Sequence, residues 1–163
     1  MDFKLFISFF ITQRISELLI AKKNERWLRT MGAIEYGKGH YPFIVLLHTF
    51  FISSLIAEYL LRPGSNLDIV FFILFFVLIA AKIWVITSLG IYWNTKILRI
   101  QGMAPIKKGA YRFLKHPNYI IVVCEFIVVP LVFHLYFTAI IFSILNGIVL
   151  TLRIREEERV WNI

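Results

Sequence analysis

The chain has 163 residues, of which 59% are hydrophobic, 17% aromatic and 17% charged, and its mean hydropathy is +0.74. Soluble domains are roughly 45–50% apolar and about 25% charged, so this composition excludes a soluble globular domain and a disordered tail, and predicts a single all-α domain of membrane-embedded helices over residues 1–163. The net charge of +8 comes without a nucleic-acid-binding motif and points to basic loops facing anionic lipid heads, while the lone cysteine, Cys124, precludes an intrachain disulfide and a cysteine-rich zinc site.

A spanning helix needs about 20 mostly apolar residues. Phe3 to Ala21 is the first candidate; its second half, with Gln13, Arg14 and Glu17, is too polar for a signal-peptide core, and no small-residue cleavage site follows. Pro42 to Leu61 is the second, with proline suited to a helix's first turn. The Pro63-Gly64 pair marks Arg62 to Asn66 as a tight turn. Leu67 to about Ile97 predicts a third helix, roughly 45 Å long at the usual rise. Tyr119 to Phe133 and Phe137 to Leu152, with almost nothing polar between them, predict a tight helical hairpin.

These segments make five transmembrane helices, and the basic residues orient them. With the N-terminus outside and the C-terminus cytoplasmic, the inner segments carry 14 Lys and Arg and the outer ones two, Lys4 and Arg62. That distribution satisfies the positive-inside rule.

Charges inside spans are costly and in general face the bundle interior or mark function. Arg14 and Glu17, three apart on one helix, can neutralise each other. Lys82 is expected to reach the headgroups and Glu58 to lie near an outer helix end, both interfacial. Glu125 lies deeper, without a basic neighbour in its own run, and is expected to be protonated or hydrogen-bonded between helices. His48 reads as an interior hydrogen-bonded histidine, since no facing histidine at similar depth would complete a haem site. Cys124 reads as a buried thiol. Nothing in the sequence requires a metal.

The informative polar residues form two clusters on the inner side. The first runs from Gly109 to Tyr119 and sets basic side chains around His116 at the mouth of the fourth helix. His116 and Tyr119, three apart, face the same way once the helix starts, and a helix N-terminus with basic neighbours favours a carboxylate or similar anion. The second closes the chain. Asn146, Arg153 and Glu157 are spaced seven and four and share one helix stripe, with Arg155 and Glu158 on the adjacent one. The hairpin brings both clusters to the cytoplasmic face. His116, Tyr119, Arg153 and Glu157 should therefore line one pocket, open to water on one side and to lipid between helices on the other. Such a pocket suits a water-soluble cofactor and a lipid-like substrate.

These residues resemble the isoprenylcysteine carboxyl methyltransferase family, in particular its short bacterial members. The resemblance rests on Leu89-Gly90-Ile91-Tyr92-Trp93, Gly109-Ala110-Tyr111, Lys115-His116-Pro117-Asn118-Tyr119 and Arg153-Ile154-Arg155-Glu156-Glu157-Glu158, in that order. The stretches Lys23 to Trp27 and Glu35 to Pro42 are similar to the bacterial branch. Lys115 stands where the family usually has arginine, which keeps the charge and loses the planar fork. Trp161 stands where leucine is common.

The resemblance implies methyl transfer from S-adenosylmethionine at the cytoplasmic face of a bacterial cell membrane. On that analogy Tyr111, His116, Pro117 and Tyr119 would hold the cofactor, with His116 toward its carboxylate and Glu157 and Glu158 toward its amino group or ribose. Arg153 or Arg155 would orient an anionic acceptor, and Asn146 would line the pocket. Arg153, Glu157 and Asn146 are thus the implied catalytic set, with Glu157 a base if the acceptor is a neutral hydroxyl. The implied acceptor is a long-chain molecule with an acidic oxygen, such as an alkylpyrone; a prenylcysteine carboxylate and a phospholipid amine are the alternatives. A nicotinamide-dependent membrane reductase and a non-enzymatic lipid-binding protein are the readings from other classes. No nucleic acid or obligate protein partner is implied.

Overall fold

The computed structural model describes residues 2–62 and 65–161, with the Trp161 side chain left out. The expected turn at Pro63-Gly64 lies outside the described residues, as does the Trp161 side chain. Five α-helices are described: α1 (Phe3–Thr30), α2 (Tyr41–Leu61), α3 (Ile69–Leu89), α4 (Pro117–Leu131) and α5 (Tyr136–Trp161). The expectation of an all-α chain needs one correction. β1 (Ile34–Tyr36) and β2 (Ile97–Arg99) pair antiparallel, Ile34 opposite Arg99 and Tyr36 opposite Ile97, and tie the loop after α1 to the chain after α3.

Among the described residues, three helices are long and apolar enough to cross a membrane: Tyr41–Leu61, Ile69–Tyr92 and Tyr136–Val160. The first and fourth expected spans differ from these. α1 carries its apolar stretch into a charged second half and continues to Thr30, well past Ala21. α4 is apolar but has only 15 residues, about 22 Å of helix. Large apolar side chains lie exposed on every helix, among them Leu5, Leu19, Phe43, Leu60, Ile73 and Ile140. A surface of that kind needs lipid or protein against it.

The third helix is also shorter than expected. α3 stops at Leu89, where Gly90 takes a φ of +55° and the chain tightens into a 3-10 turn, Gly90–Tyr92. The left-handed region costs a residue with a Cβ roughly 1–2 kcal/mol, so glycine terminates the helix here and turns Trp93 inward, where it is 2% exposed. Asn24 on α1 donates to the carbonyls of Trp93 at 2.7 Å and Gly90 at 3.2 Å and fixes the turn.

Buried α1 residues recur as Phe3, Phe6, Ile7, Phe10, Glu17, Ala21, Asn24 and Leu28, one stripe of the helix. Its N-terminal half meets an aromatic core in which Phe51 stacks on Phe126 with ring centroids 4.3 Å apart. Lipid is as apolar as phenylalanine, so close packing and polar links, more than water exclusion, must hold such helices together. Glu58 and Lys82 supply such links, which corrects the expectation that they are interfacial. Glu58 is buried and accepts the backbone N–H groups of Phe137 at 3.1 Å and Thr138 at 2.7 Å. It thereby satisfies unpaired donors at the start of α5, where a carboxylate is favoured by the helix dipole.

Lys82 is 2% exposed and sits 3.3 Å from Glu125, which Arg14 also meets at 2.6 Å. Arg14 pairs with Glu17 as well, at 2.9 Å. Glu125 lacks a basic neighbour along its own helix, yet α1 and α3 each bring it a cation. The Nδ1 of His48 hydrogen-bonds the Ile44 carbonyl at 2.9 Å, as an interior histidine should. Cys124 is half-buried instead of buried.

Candidate active site where the start of α4 meets the end of α5

The chain enters α4 through a second 3-10 turn, Gly109–Arg112. Gly109 has a φ of +54°, and a Cβ on it would fall 2.1 Å from the Ser88 Oγ. That hydroxyl accepts the Ala110 N–H at 3.1 Å. Glycine is required at this contact, and it sets where Tyr111 and the His116 segment fall. Pro117, buried, opens α4 at a position where its missing N–H costs nothing.

The two polar clusters meet here. Lys115 pairs with Glu158 at 2.7 Å, and the His116 Nε2 lies 3.4 Å from the same carboxylate. The His116 Nδ1 is 3.8 Å from Glu157. The His116 and Tyr119 rings stack with centroids 5.3 Å apart, as their three-residue spacing predicts. The Tyr119 hydroxyl donates to Glu157 and accepts from the Arg153 Nε at 2.9 Å, while Arg153 also donates to the Thr95 carbonyl. A chain of polar contacts therefore runs from the Thr95 backbone through Arg153 and Tyr119 to Glu157.

Two cavities flank that chain. One, of about 120 Å³, opens between α4, α5 and the segment from Leu89 to Arg99, with Tyr92, Lys96, Tyr111, His116 and Glu157 in its wall. The other, of about 260 Å³, runs between α1, α2 and α5 and is mostly apolar, lined by residues such as Ile11, Leu18, Ile44, Leu47, Val149 and Leu150. Trp93, Asn118, Tyr119 and Arg153 line both. The helical stripe on α5 maps onto this division: Asn146 lines the apolar cavity, Arg153 the shared wall and Glu157 the polar cavity.

Burial, with the Glu157 charge nearby, pushes the Tyr111 phenol above its usual range, so it stays neutral at physiological pH. Behind the polar cavity, Lys96 bridges Glu25 at 2.9 Å and Glu35 at 3.6 Å, and Arg29 joins the same two carboxylates. Burial disfavours the charge on Glu25, yet the hydrogen bonds from Lys96 and Arg29 outweigh it and lower its pKa below the ordinary carboxylate value.

Of the residues singled out from the sequence, Tyr111, His116, Tyr119, Arg153 and Glu157 line the polar cavity, and Glu158 reaches His116. Arg155 departs from expectation: it is exposed and lines neither cavity, because two residues along a helix rotate it away from Arg153. Trp93, Asn118 and Thr95 belong to the site and had no individual signal in the sequence, Trp93 and Asn118 standing only as motif positions. Lys96 and Asn24 likewise become meaningful only when α1 and the Gly90 turn are seen together.

No solved structure matches the chain. It is 44% identical over 161 residues to "Uncharacterized protein YpbQ" of Bacillus subtilis, covering 96% of this chain and 95% of that one. A protein of Haemophilus influenzae is 29% identical over 149 residues, 89% of this chain and 86% of its own. Residues 68–162, from the start of α3 through α5, match the isoprenylcysteine carboxyl methyltransferase (ICMT) family, and the chain belongs to that methyltransferase family.

Proposed function

We propose that the protein is an S-adenosylmethionine-dependent methyltransferase that modifies an acidic oxygen of a long-chain acceptor, such as an alkylpyrone, at the cytoplasmic face of a bacterial membrane. The observation that carries this reading is the pair of cavities, one polar and one apolar, that meet at Tyr119 and Arg153. Methyl transfer between a water-soluble donor and a lipid needs two such compartments with one wall in common.

The side chains of the polar cavity fit the cofactor's chemistry. His116, with Lys115 beside it, offers a cationic or donor environment for a carboxylate, and Glu157 and Glu158 offer acceptors for an ammonium or ribose hydroxyls. Tyr92 and Tyr111 add aromatic surface for a planar base. When bound, the cofactor supplies an electrophilic methyl group on a sulfonium sulfur. Arg153, held by Tyr119 and the Thr95 carbonyl, orients the anionic end of the acceptor at the common wall. An acceptor that is already an anion needs no base, so the protein's contribution is alignment and exclusion of water. For a neutral hydroxyl, Glu157 takes the proton through the Tyr119 hydroxyl that it already holds.

The membrane arrangement in this reading has five spans with the N-terminus outside and the C-terminus cytoplasmic. The distribution of 14 inner against two outer Lys and Arg supports it. So does the pairing of the α1 charges: Arg14 and Glu17 turn into the bundle against Glu125 and Lys82, so α1 need not expose them to lipid. α4 and α5 then return together as a hairpin that opens the site inward.

Isothermal calorimetry with S-adenosylhomocysteine on the detergent-purified protein tests the cofactor half of the proposal. Saturable binding that His116→Ala weakens is the expected result; no binding by folded wild-type protein would contradict it.

A further inference from the structure

Trp93 and Asn146 share a feature that the packing of the helices does not use. Each is buried, 2% and 3% exposed respectively, and each holds an N–H donor, the indole Nε1 and the amide Nδ2, with no acceptor among the described residues. A buried donor left unpaired costs about 1–3 kcal/mol; the Arg14 Nε in the same cavity wall is unpaired too, but its guanidinium is held by Glu17 and Glu125, so the two neutral donors are the ones that call for an explanation. Both residues line the apolar cavity, Asn146 on its own side and Trp93, like Arg153, at the wall shared with the polar cavity. The amide of Asn146 has ends alike in shape, so it can turn either its N–H or its oxygen to the cavity.

We infer that Trp93 and Asn146 are the specificity-determining donors of the acceptor site, giving N–H hydrogen bonds to an oxygen-bearing head group that Arg153 also holds. The inference rests on the reading above that the apolar cavity receives the methyl acceptor. Arg14 and Lys82, which also line the cavity, are taken up by Glu125, and the three donors that remain, Arg153 among them, suit a group with two oxygens: one is held while the other keeps a lone pair for attack. They do not suit an amine. A protonated amine would face the guanidinium of Arg153, and the carboxylate in that cavity, Glu17, is already held by Arg14 at 2.9 Å. A neutral amine has one lone pair, and any of these donors would occupy it. The same donors therefore select oxygen over nitrogen acceptors.

Trp93 is placed for this role by the Gly90 turn and by the Asn24 amide on its carbonyl, both independent of its indole N–H. Trp93→Phe keeps the ring packing against Val85, Ala110 and Ile121 while removing the donor. Asn146→Leu removes the amide at similar volume and serves as an independent second variant.

The experiment measures binding of myristate and of tetradecylamine to the detergent-purified protein saturated with S-adenosylhomocysteine, in wild type and both variants. Myristate should bind wild type, and each variant should weaken it about fivefold, the worth of one hydrogen bond. Affinity for S-adenosylhomocysteine should stay within about twofold of wild type in Asn146→Leu, whose side chain lines the apolar cavity alone, and saturable binding should persist in Trp93→Phe, which a general loss of structure would not allow. Tetradecylamine should bind at least tenfold more weakly than myristate. Equal binding of the amine, or myristate affinity unchanged in both variants that still bind S-adenosylhomocysteine, would overturn the inference alone. Failure of the wild type to bind S-adenosylhomocysteine would overturn the methyltransferase reading and the inference with it.

Discussion

Two groups of charged side chains, both centred on α4, are held in opposite ways. Deep in the bundle, Glu125 is closed in by Arg14 and Lys82, with Glu17 behind them, and Glu125 is 1% exposed. At the N-terminal end of the same helix, Tyr119 and His116 meet Arg153, Glu157 and Glu158 around a cavity. The deep group has two cations and two anions that answer one another, so it links α1, α3 and α4, and the sides of Arg14, Glu17 and Lys82 that line the apolar cavity are already paired. The second group includes an exposed pair, Lys115 and Glu158, and carboxylates facing open space. Similar residues are structural where their charges answer one another across helices and available for chemistry where they line the cavity with partners exposed to water.

The comparison is broken most severely at its deep end. Glu125→Gln strands Arg14 and Lys82 without their shared partner, and breaking a buried pair costs about 3–5 kcal/mol. The midpoint of thermal unfolding in detergent should fall sharply, with affinity for S-adenosylhomocysteine retained below that midpoint. At the N-terminal end of α4 the order reverses. Arg153→Ala should lower the rate of methyl transfer about a hundredfold, the scale of one preorganised donor, and leave the affinity for S-adenosylhomocysteine much less changed.

Gly109→Ala tests how that second group is built. Its Cβ would collide with Ser88, and overpacking of this kind costs about 1–3 kcal/mol beyond the strain of a positive φ. The turn should shift and carry His116 with it, seen as weaker binding of S-adenosylhomocysteine in protein that still folds. Glu158→Gln removes one charge from the rim of the cavity and should weaken the same binding about tenfold, the value of a charge-assisted hydrogen bond. The smallest effect concerns the support behind the cavity. Glu25 has a folded-state pKa below its unfolded value, so its contribution to stability is present above the ordinary carboxylate pKa and is lost as pH falls through the folded value. Glu25→Gln should flatten the fall in unfolding midpoint between about pH 5 and pH 3 by no more than an exposed ion pair is worth, about 0.2–1 kcal/mol.

Much of the site is legible in the sequence because it is local. The spacing of Asn146, Arg153 and Glu157 fixes a stripe on one helix, and that of His116 and Tyr119 fixes a stack at the start of another. The hairpin then has to bring them together, since so few residues separate its helices. The deep group is not legible in this way. Glu125, Lys82 and Arg14 lie on three helices whose relative rotation is set by packing, so Lys82 looks like a lysine free to reach the headgroups. Glu58 looks like an outer-end carboxylate for the same reason, although it closes the start of α5. Trp93 is hidden by the helix that seems to continue through it: the hydropathy runs on past Leu89, and the positive φ at Gly90 ends α3. The two short strands escape notice because three residues each carry no periodicity to detect.

The central claim is that the polar and apolar cavities meet at Arg153 so that a methyl group can pass from one to the other. It is tested most directly by incubating the purified protein with methyl-labelled S-adenosylmethionine and a total lipid extract of bacterial membranes, then following the label into the organic phase. The account predicts labelled lipid formed by the wild type and lost with Arg153→Ala, although that variant still binds S-adenosylhomocysteine. Label that stays in the aqueous phase while the cofactor binds, or lipid labelling that Arg153→Ala leaves intact, would contradict it.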